Sequence, residues 1–275
     1  MKSSSALRRI AVVASRAPDW LPPEGHYGRI PMSNTLASQE PPIPDGTPKG
    51  LRYGRAFRGI LFEYSGAVFA DAYSALGAVV IHGGGHAGWW GNDVHVGDLT
   101  SLKWQRILDP SPETLAYSYK AALGRPKNSL NQYLADRTPS IVHNYACPQY
   151  MPPSWGASGP LGAYMKLTAD AHSRRVFAEK VDLAKPSWDP ITPEDQAGTH
   201  EGLSFYPMTA RDDKRQCFYV AQARQEGTNH YWRIDKNGAV TKLRGYMGTH
   251  ATVACMGYCP PLDLIVAMSP KESPD

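Results

Sequence analysis

An all-β fold made of repeated short-strand units is predicted by three features of the sequence. The chain has 25 Gly and 24 Pro among 275 residues, with only 20% charged residues, and Gly or Pro costs roughly 1 to 3 kcal/mol inside a helix. Short apolar or alternating runs, bounded by turn residues, recur in groups of four. A literal repeat, Gly198-Thr199-His200 and Gly248-Thr249-His250, stands at the head of two of those groups, 50 positions apart. The apolar share of 42% excludes disorder, and the glycines lack the three-residue period of collagen.

The strands follow in order. Gly59 to Val68, Leu76 to His82, Asn92 to Leu99 and Lys103 to Leu108 form a first group, the size of one propeller blade at roughly 50 residues. A second comprises Ile141 to Tyr150, Leu161 to Thr168, Val176 to Leu183 and Trp188. Leu203 to Met208, Gln216 to Ala221, His230 to Asp235 and Ala239 to Leu243 make a third. Ala251 to Gly257 and Leu262 to Met268 begin a fourth. Between the first two groups, Ser111 to Arg137 looks helical around Thr114 to Leu123 and Leu130 to Leu134, an insertion or long loop.

Residues 1–56 form a Pro-rich lead segment, with Pro18, Pro22, Pro23, Pro31, Pro41, Pro42, Pro44 and Pro48 in its irregular part. Such a segment makes no central strand and is expected to wrap a surface of the domain formed by 57–275. Near the start, Ile10 to Ala14 gives five apolar residues before Ser15-Arg16, too few for a secretory signal. No stretch reaches the roughly 20 apolar residues of a membrane span, so the chain reads as soluble, with no compartment encoded.

The formal net charge is +4 and the basic residues are dispersed, without the basic stripe or module of a nucleic-acid binder. Cys147, Cys217, Cys255 and Cys259 form no Cys-x-x-Cys pair, which leaves a zinc ribbon unsupported. Cys255 and Cys259, four apart on a strand, share a face and are expected as two buried thiols rather than a disulfide.

The first group carries Ala78-Val79-Val80-Ile81-His82-Gly83-Gly84-Gly85-His86, then Gly91-Asn92-Asp93-Val94-His95-Val96-Gly97-Asp98-Leu99, and Trp104. This resembles a kelch-type repeat: a strand ending in a Gly pair, a strand with an Asn/Asp-x-aromatic-x-x-Asp-Leu pattern, then a Trp. His95 stands where the repeat usually has Tyr. The glycines permit a sharp backbone turn, Asp98 can cap the turn after the third strand, and Trp104 is expected to pack between adjacent sheets. Asp136-Arg137-Thr138-Pro139-Ser140-Ile141-Val142-His143-Asn144-Tyr145 is similar to a blade head of galactose-oxidase-like kelch propellers, with Arg137 replacing a Gly. The motifs cover roughly residues 59 to 150, and layout alone extends the likeness to the end.

The resemblance implies a kelch-type β-propeller of four-stranded blades. Three full blades and a partial one fall short of the six or seven that usually close the ring. Either the propeller is incomplete, or Ile10 to Ser15 completes the last blade of a small ring. An open end leaves an unpaired sheet edge, which favours a homo-oligomer or a larger assembly.

His82-Gly83-Gly84-Gly85 also resembles the oxyanion-hole segment of lipase-type hydrolases. That reading needs a Gly-x-Ser-x-Gly elbow, and Gly156-Ala157-Ser158-Gly159-Pro160 fails at its last position. No Tyr is followed by His, so the adjacent pair of a copper-radical oxidase is absent. If His143, His200 and His250 each open an innermost strand, three imidazoles face one channel and could bind copper or zinc. Each could equally cap a turn or bond a neighbouring carbonyl. His86, Trp89 and Trp90 lie in the connection after the Gly triplet. Neighbouring residues on a strand point oppositely, so one Trp beside a His offers a stacking platform for a sugar or peptide. Packing against the Pro-rich segment would account for them as well.

The function this supports is non-enzymatic recognition of a protein or carbohydrate through blade loops, with no nucleic acid, membrane or obligatory cofactor. The alternatives are a metal-dependent oxidase or carbohydrate-active enzyme using the central channel, and a structural component of a phage or surface assembly.

Overall fold

The computed structural model describes residues 18–23, 26–43, 45, 57, 60, 66–83, 89, 91–112, 138–139, 147–170, 175–190, 207–222, 230–243 and 255–268. Strands β1 (Ala67–Ala70), β2 (Ala78–His82), β3 (Val94–Asp98) and β4 (Lys103–Leu108) form the first antiparallel sheet in chain order. β5 (Pro148–Met151), β6 (Ala163–Asp170), β7 (Arg175–Asp182) and β8 (Trp188–Pro190) form the second. β9 (Pro207–Asp212), β10 (Cys217–Gln222), β11 (His230–Asp235) and β12 (Val240–Leu243) form the third, and β13 (Cys255–Cys259) with β14 (Leu264–Met268) the fourth. The fold is all-β, with three four-stranded sheets and a two-stranded one. β1 lies against β5, β5 against β9 and β9 against β13, so the described sheets follow one another as an open series. Among the described residues no helix is long and apolar enough to cross a membrane.

Two turn devices recur. Each second strand is preceded by a left-handed residue: Gly77 at φ 74°, Gly162 at 75°, Gln216 at 50° and Asp263 at 53°. Glycine adopts this region without penalty. In the first three sheets that residue's carbonyl accepts the N–H of the residue just past the third strand, from Leu99 (3.1 Å), Leu183 (3.1 Å) and Lys236 (3.2 Å). The third strands all end in aspartate. Asp98 accepts the Thr100 and Ser101 N–H groups, Asp182 that of Ala184, and Asp235 those of Asn237 and Ala239. Each carboxylate folds its own chain back into the fourth strand.

Alternation along the strands then builds the core. Ala78 and Val80 of β2 and Val94 and Val96 of β3 meet Tyr150, Tyr164 and Val181 of the second sheet. On the second sheet's other face, Met165, Leu167, Val176 and Ala178 meet Phe218, Val220, Trp232 and Ile234 of the third. The fourth sheet is also tied by charge: Asp263 accepts Lys214 Nζ (2.5 Å), both Arg215 terminal nitrogens (2.7 and 2.9 Å) and the Tyr258 hydroxyl (2.8 Å).

The Pro-rich segment covers the first sheet. Its Leu36, with Phe57 and Ile60 just beyond its end, packs on Ile81 and Trp89, and the segment also sheathes the β4 edge. The Asn34 amide exchanges both hydrogen bonds with the Trp104 backbone (2.9 and 2.7 Å), as a neighbouring strand would, and Gln39 accepts the Arg106 N–H (3.2 Å). Side-chain amides thus satisfy an edge that would otherwise be open.

Three expectations need correction. Trp104 does not lie between adjacent sheets; it crosses Gly97 on the side covered by Leu36, Phe57 and Ile60, because the missing side chain at Gly97 leaves room for its ring. The first strand of every group ends later than expected, as Ala67–Ala70, Pro148–Met151, Pro207–Asp212 and Cys255–Cys259 instead of ending at Val68, Tyr150, Met208 and Gly257, because pairing with the second strand across the turn, as Ala70 with Ala78, fixes the register. Cys259 is half-buried rather than buried, since β13 belongs to the sheet with an open face. The helical stretch expected over 114–134 lies outside the described residues.

Gly162 and Gly156 separate strain from crowding. Both are left-handed, but a methyl on Gly162 overlaps the Tyr150 ring and hydroxyl while Gly156 has open space. Gly156→Ala should cost about 1 kcal/mol. Gly162→Ala should cost roughly 1 to 3 kcal/mol more, read from urea midpoints.

Candidate functional site

β2 and β3 are joined by the Gly-rich connection 83–93, and the polar groups at its base are buried on both sides of the sheet. His82 is the last residue of β2 and pairs with Val94, while His95 pairs with Ile81. The alternation therefore sends the two imidazoles to opposite faces.

On the outward face, Asp93 is fully buried, which is costly for a carboxylate without partners. It has two. Oδ1 accepts the Trp89 indole N–H at 2.5 Å, and Oδ2 is in hydrogen-bonding contact with His95 Nε2. In neutral His95 this contact places the proton on Nε2 and leaves Nδ1 as the acceptor. Phe57 makes T-shaped contacts with both rings, with centroids 5.0 Å from Trp89 and 5.2 Å from His95. Gly91 is required by close approach, because a methyl there would overlap Asp93 Oδ1 and Trp89 Nε1.

Asn92 ties this base to the connection between the first two sheets. Its amide donates to Thr138 Oγ1 (2.9 Å) and the Pro139 carbonyl (3.1 Å), and its side-chain oxygen accepts the Ser111 N–H (2.7 Å). Its backbone carbonyl accepts Trp188 Nε1 of β8 at 3.3 Å. One residue thus joins the first sheet, both flanks of residues 112–137, and the second sheet.

On the inward face, His82 lies against Trp188 (5.0 Å) and Tyr164 (5.7 Å). Beside them Lys166 and Glu179 pair across β6 and β7; their charged ends are 3.7 Å apart and both are buried. A buried ion pair offsets its own desolvation only partly. The neighbours are held uncharged. Burial, then the Lys166 ammonium and then His95, pushes the His82 imidazole well below its ordinary value. Burial pushes the Cys147 thiol up to about 12 against the opposing pull of Lys166, so it is no nucleophile at neutral pH. The Tyr164 phenol is raised well above 10 by burial, then by Cys147 and Glu179, and among the described residues its hydroxyl has no hydrogen-bond partner.

Of the residues singled out in the sequence, Trp89 is only 2% exposed and belongs to the base of the connection. His86, Trp90, His143, His200 and His250 lie outside the described residues. Among the described residues no group of three or more His, Cys, Asp or Glu side chains could hold a metal ion. The sequence reading missed the Asp93–His95 contact and the role of Asn92, although the Asn92-Asp93-Val94-His95 pattern places Asp93 and His95 on one face. It also missed Lys166 and Glu179, because a polar alternate face ordinarily reads as the solvent side of a strand.

His82 makes stability depend on pH. Neutral in the fold, it takes up a proton in the unfolded chain near pH 6.5, so below that value the unfolded state binds the extra proton. Stability should fall as pH drops from about 6.5, by up to about 1.4 kcal/mol per pH unit from this group. Urea unfolding of wild type and His82→Gln at pH 7.5 and 5.5 checks it: the variant should lose less stability between the two.

No protein-family model matches the chain, and no curated protein is found to be similar to it.

Proposed function

We propose that the chain is an open kelch-type propeller that binds a protein or a carbohydrate through the connection leaving β2. The observation that carries this reading is the convergence of Trp89 and His95 on the buried Asp93. It fixes the base of a connection whose remaining residues include His86 and Trp90. With Trp89 committed to the core, the reading assigns Trp90 the stacking role, His86 beside it supplying a hydrogen bond to a sugar hydroxyl or peptide carbonyl. An anchored loop binds more tightly than a free one, because less conformational entropy is lost on association.

The propeller reading is supported by three four-stranded sheets in series with neighbouring first strands, and by Asp98 in the turn-capping role. Recognition is favoured over catalysis because the buried polar groups at this place are committed to one another or held neutral.

Glycan and peptide arrays probed with wild type and Trp90→Ala test it. Ligands should be retained by wild type and weakened at least about tenfold in the variant, with an unchanged melting temperature. Metal analysis of the same preparations provides the opposing outcome. One copper or zinc per chain, lost in a His143→Ala/His200→Ala variant, would contradict the reading in favour of a channel metalloenzyme.

A further inference from the structure

The β6–β7 pair carries a core on each face, and one couple of side chains on it is chemically out of keeping with its surroundings. Lys166 of β6 lies directly opposite Glu179 of β7, so both side chains project from the same face. The first sheet covers that face: Tyr164 and Val181, the next opposed pair along it, pack with Ala78, Val80 and Val94. Of the lysine–carboxylate pairs among the described residues, this one has both side chains buried, whereas Lys180–Asp189 and Lys214–Asp263 reach solvent. Its charged ends are 3.7 Å apart, longer than a hydrogen bond. Among the described residues Lys166 Nζ has no hydrogen-bond partner.

Two buried charges held in this way are unfavourable, because their attraction offsets desolvation only where hydrogen bonds complete the pair. A neutral amide costs far less to bury than an ammonium and a carboxylate, so condensation of the two side chains relieves the strain on the interior. The geometry suits that reaction. Directly opposed residues have Cβ atoms roughly 4.5 to 5.5 Å apart, well within the span of a lysine and a glutamate. Side-chain rotation alone therefore brings Nζ and Glu179 Cδ to the roughly 3 to 3.5 Å of a near-attack contact. Groups so oriented react with effective molarities of about 10⁵ to 10⁸ M, here in an apolar core that excludes bulk water.

We propose that Lys166 and Glu179 condense in the folded chain to an isopeptide bond, a covalent cross-link between β6 and β7. The ammonium passes one proton to the carboxylate, and the resulting amine attacks Glu179 Cδ. A second nitrogen proton moves to the departing oxygen, the C–O bond breaks and one water leaves. The two protons lost by Nζ depart with one carboxyl oxygen, and nothing is oxidised or reduced. Tyr164, two residues from Lys166 on the same face, is close enough to Glu179 for the carboxylate to raise its phenol. Its hydroxyl, without a partner among the described residues, supplies the hydrogen bond that the developing oxyanion needs. The cross-link fixes the β6–β7 register on which both cores depend, since a slip of one residue would exchange the two faces. This inference is independent of the recognition reading.

Mass spectrometry of the intact full chain, unfolded and reduced, tests it. Wild type should be lighter than its sequence requires by the mass of one water. Digestion should yield a branched peptide joining Lys166 to Glu179, with no tryptic cleavage after Lys166. Lys166→Met, apolar and similar in length, should keep its full sequence mass whether or not it folds. In chains sampled at intervals after synthesis, Tyr164→Phe should slow the loss of water at least about tenfold; an unchanged rate would overturn the part given to Tyr164. A wild-type chain at its full sequence mass would overturn the proposal. So would a loss of water that persists in Lys166→Met, which is the result expected from cyclisation at Asp45-Gly46.

Discussion

The structure depends on two-residue alternation carried across successive sheets. Odd positions after each left-handed turn residue face forward along the series, and even positions face back. Val80 and Met165 are forward residues; Tyr164 and Phe218 are backward ones. A slip of one residue would exchange the two sets and bury the wrong face. The left-handed residues at 77, 162, 216 and 263 and the aspartates at 98, 182 and 235 hold that register. They do so through hydrogen bonds made within each sheet.

Much of this is written in the chain. β4 and β11 run as the spacing of apolar residues predicts, and the second and third strands of the other sheets lie within two residues of it. Leu76-Gly77-Ala78 and Leu161-Gly162-Ala163 mark equivalent turns, and Asp98-Leu99 and Asp182-Leu183 equivalent strand ends. First strands were less legible: Ala67, Pro148, Pro207 and Cys255 begin strands that end one to four residues beyond their expected bounds, because pairing with the second strand rather than the apolar run sets where they end. What lay beyond reading was tertiary. Asn34 and Gln39 substitute for a strand nearly 70 residues away, and no local pattern encodes such a partner. Lys166 and Glu179 belong to a polar face that becomes interior only because the first sheet covers it.

The candidate site follows from the same geometry. The connection after β2 begins and ends at the paired positions His82 and Val94, so the groups at its base must fall on both faces. Asp93, His95 and Trp89 secure it against the Pro-rich segment, while Asn92 and Trp188 secure it to the second sheet. Leu36 of the Pro-rich segment and Phe57 just beyond it are thereby both a cover for the first sheet and a wall of the site. The recognition we propose relies on that anchoring, and the neutral state of His82, Tyr164 and Cys147 keeps unpaired charge away from the interior.

Serial stacking is tested most directly at Phe218, a backward residue of β10 that is buried against Met165 of the second sheet and Trp155 of the turn between β5 and β6. Phe218→Ala should cost about 3 to 5 kcal/mol. Followed by native-state hydrogen exchange, it should lower protection in β6, β7, β10 and β11 together, because the two sheets share one core. Loss of protection confined to β10 and β11, with β6 and β7 unchanged, would contradict the account.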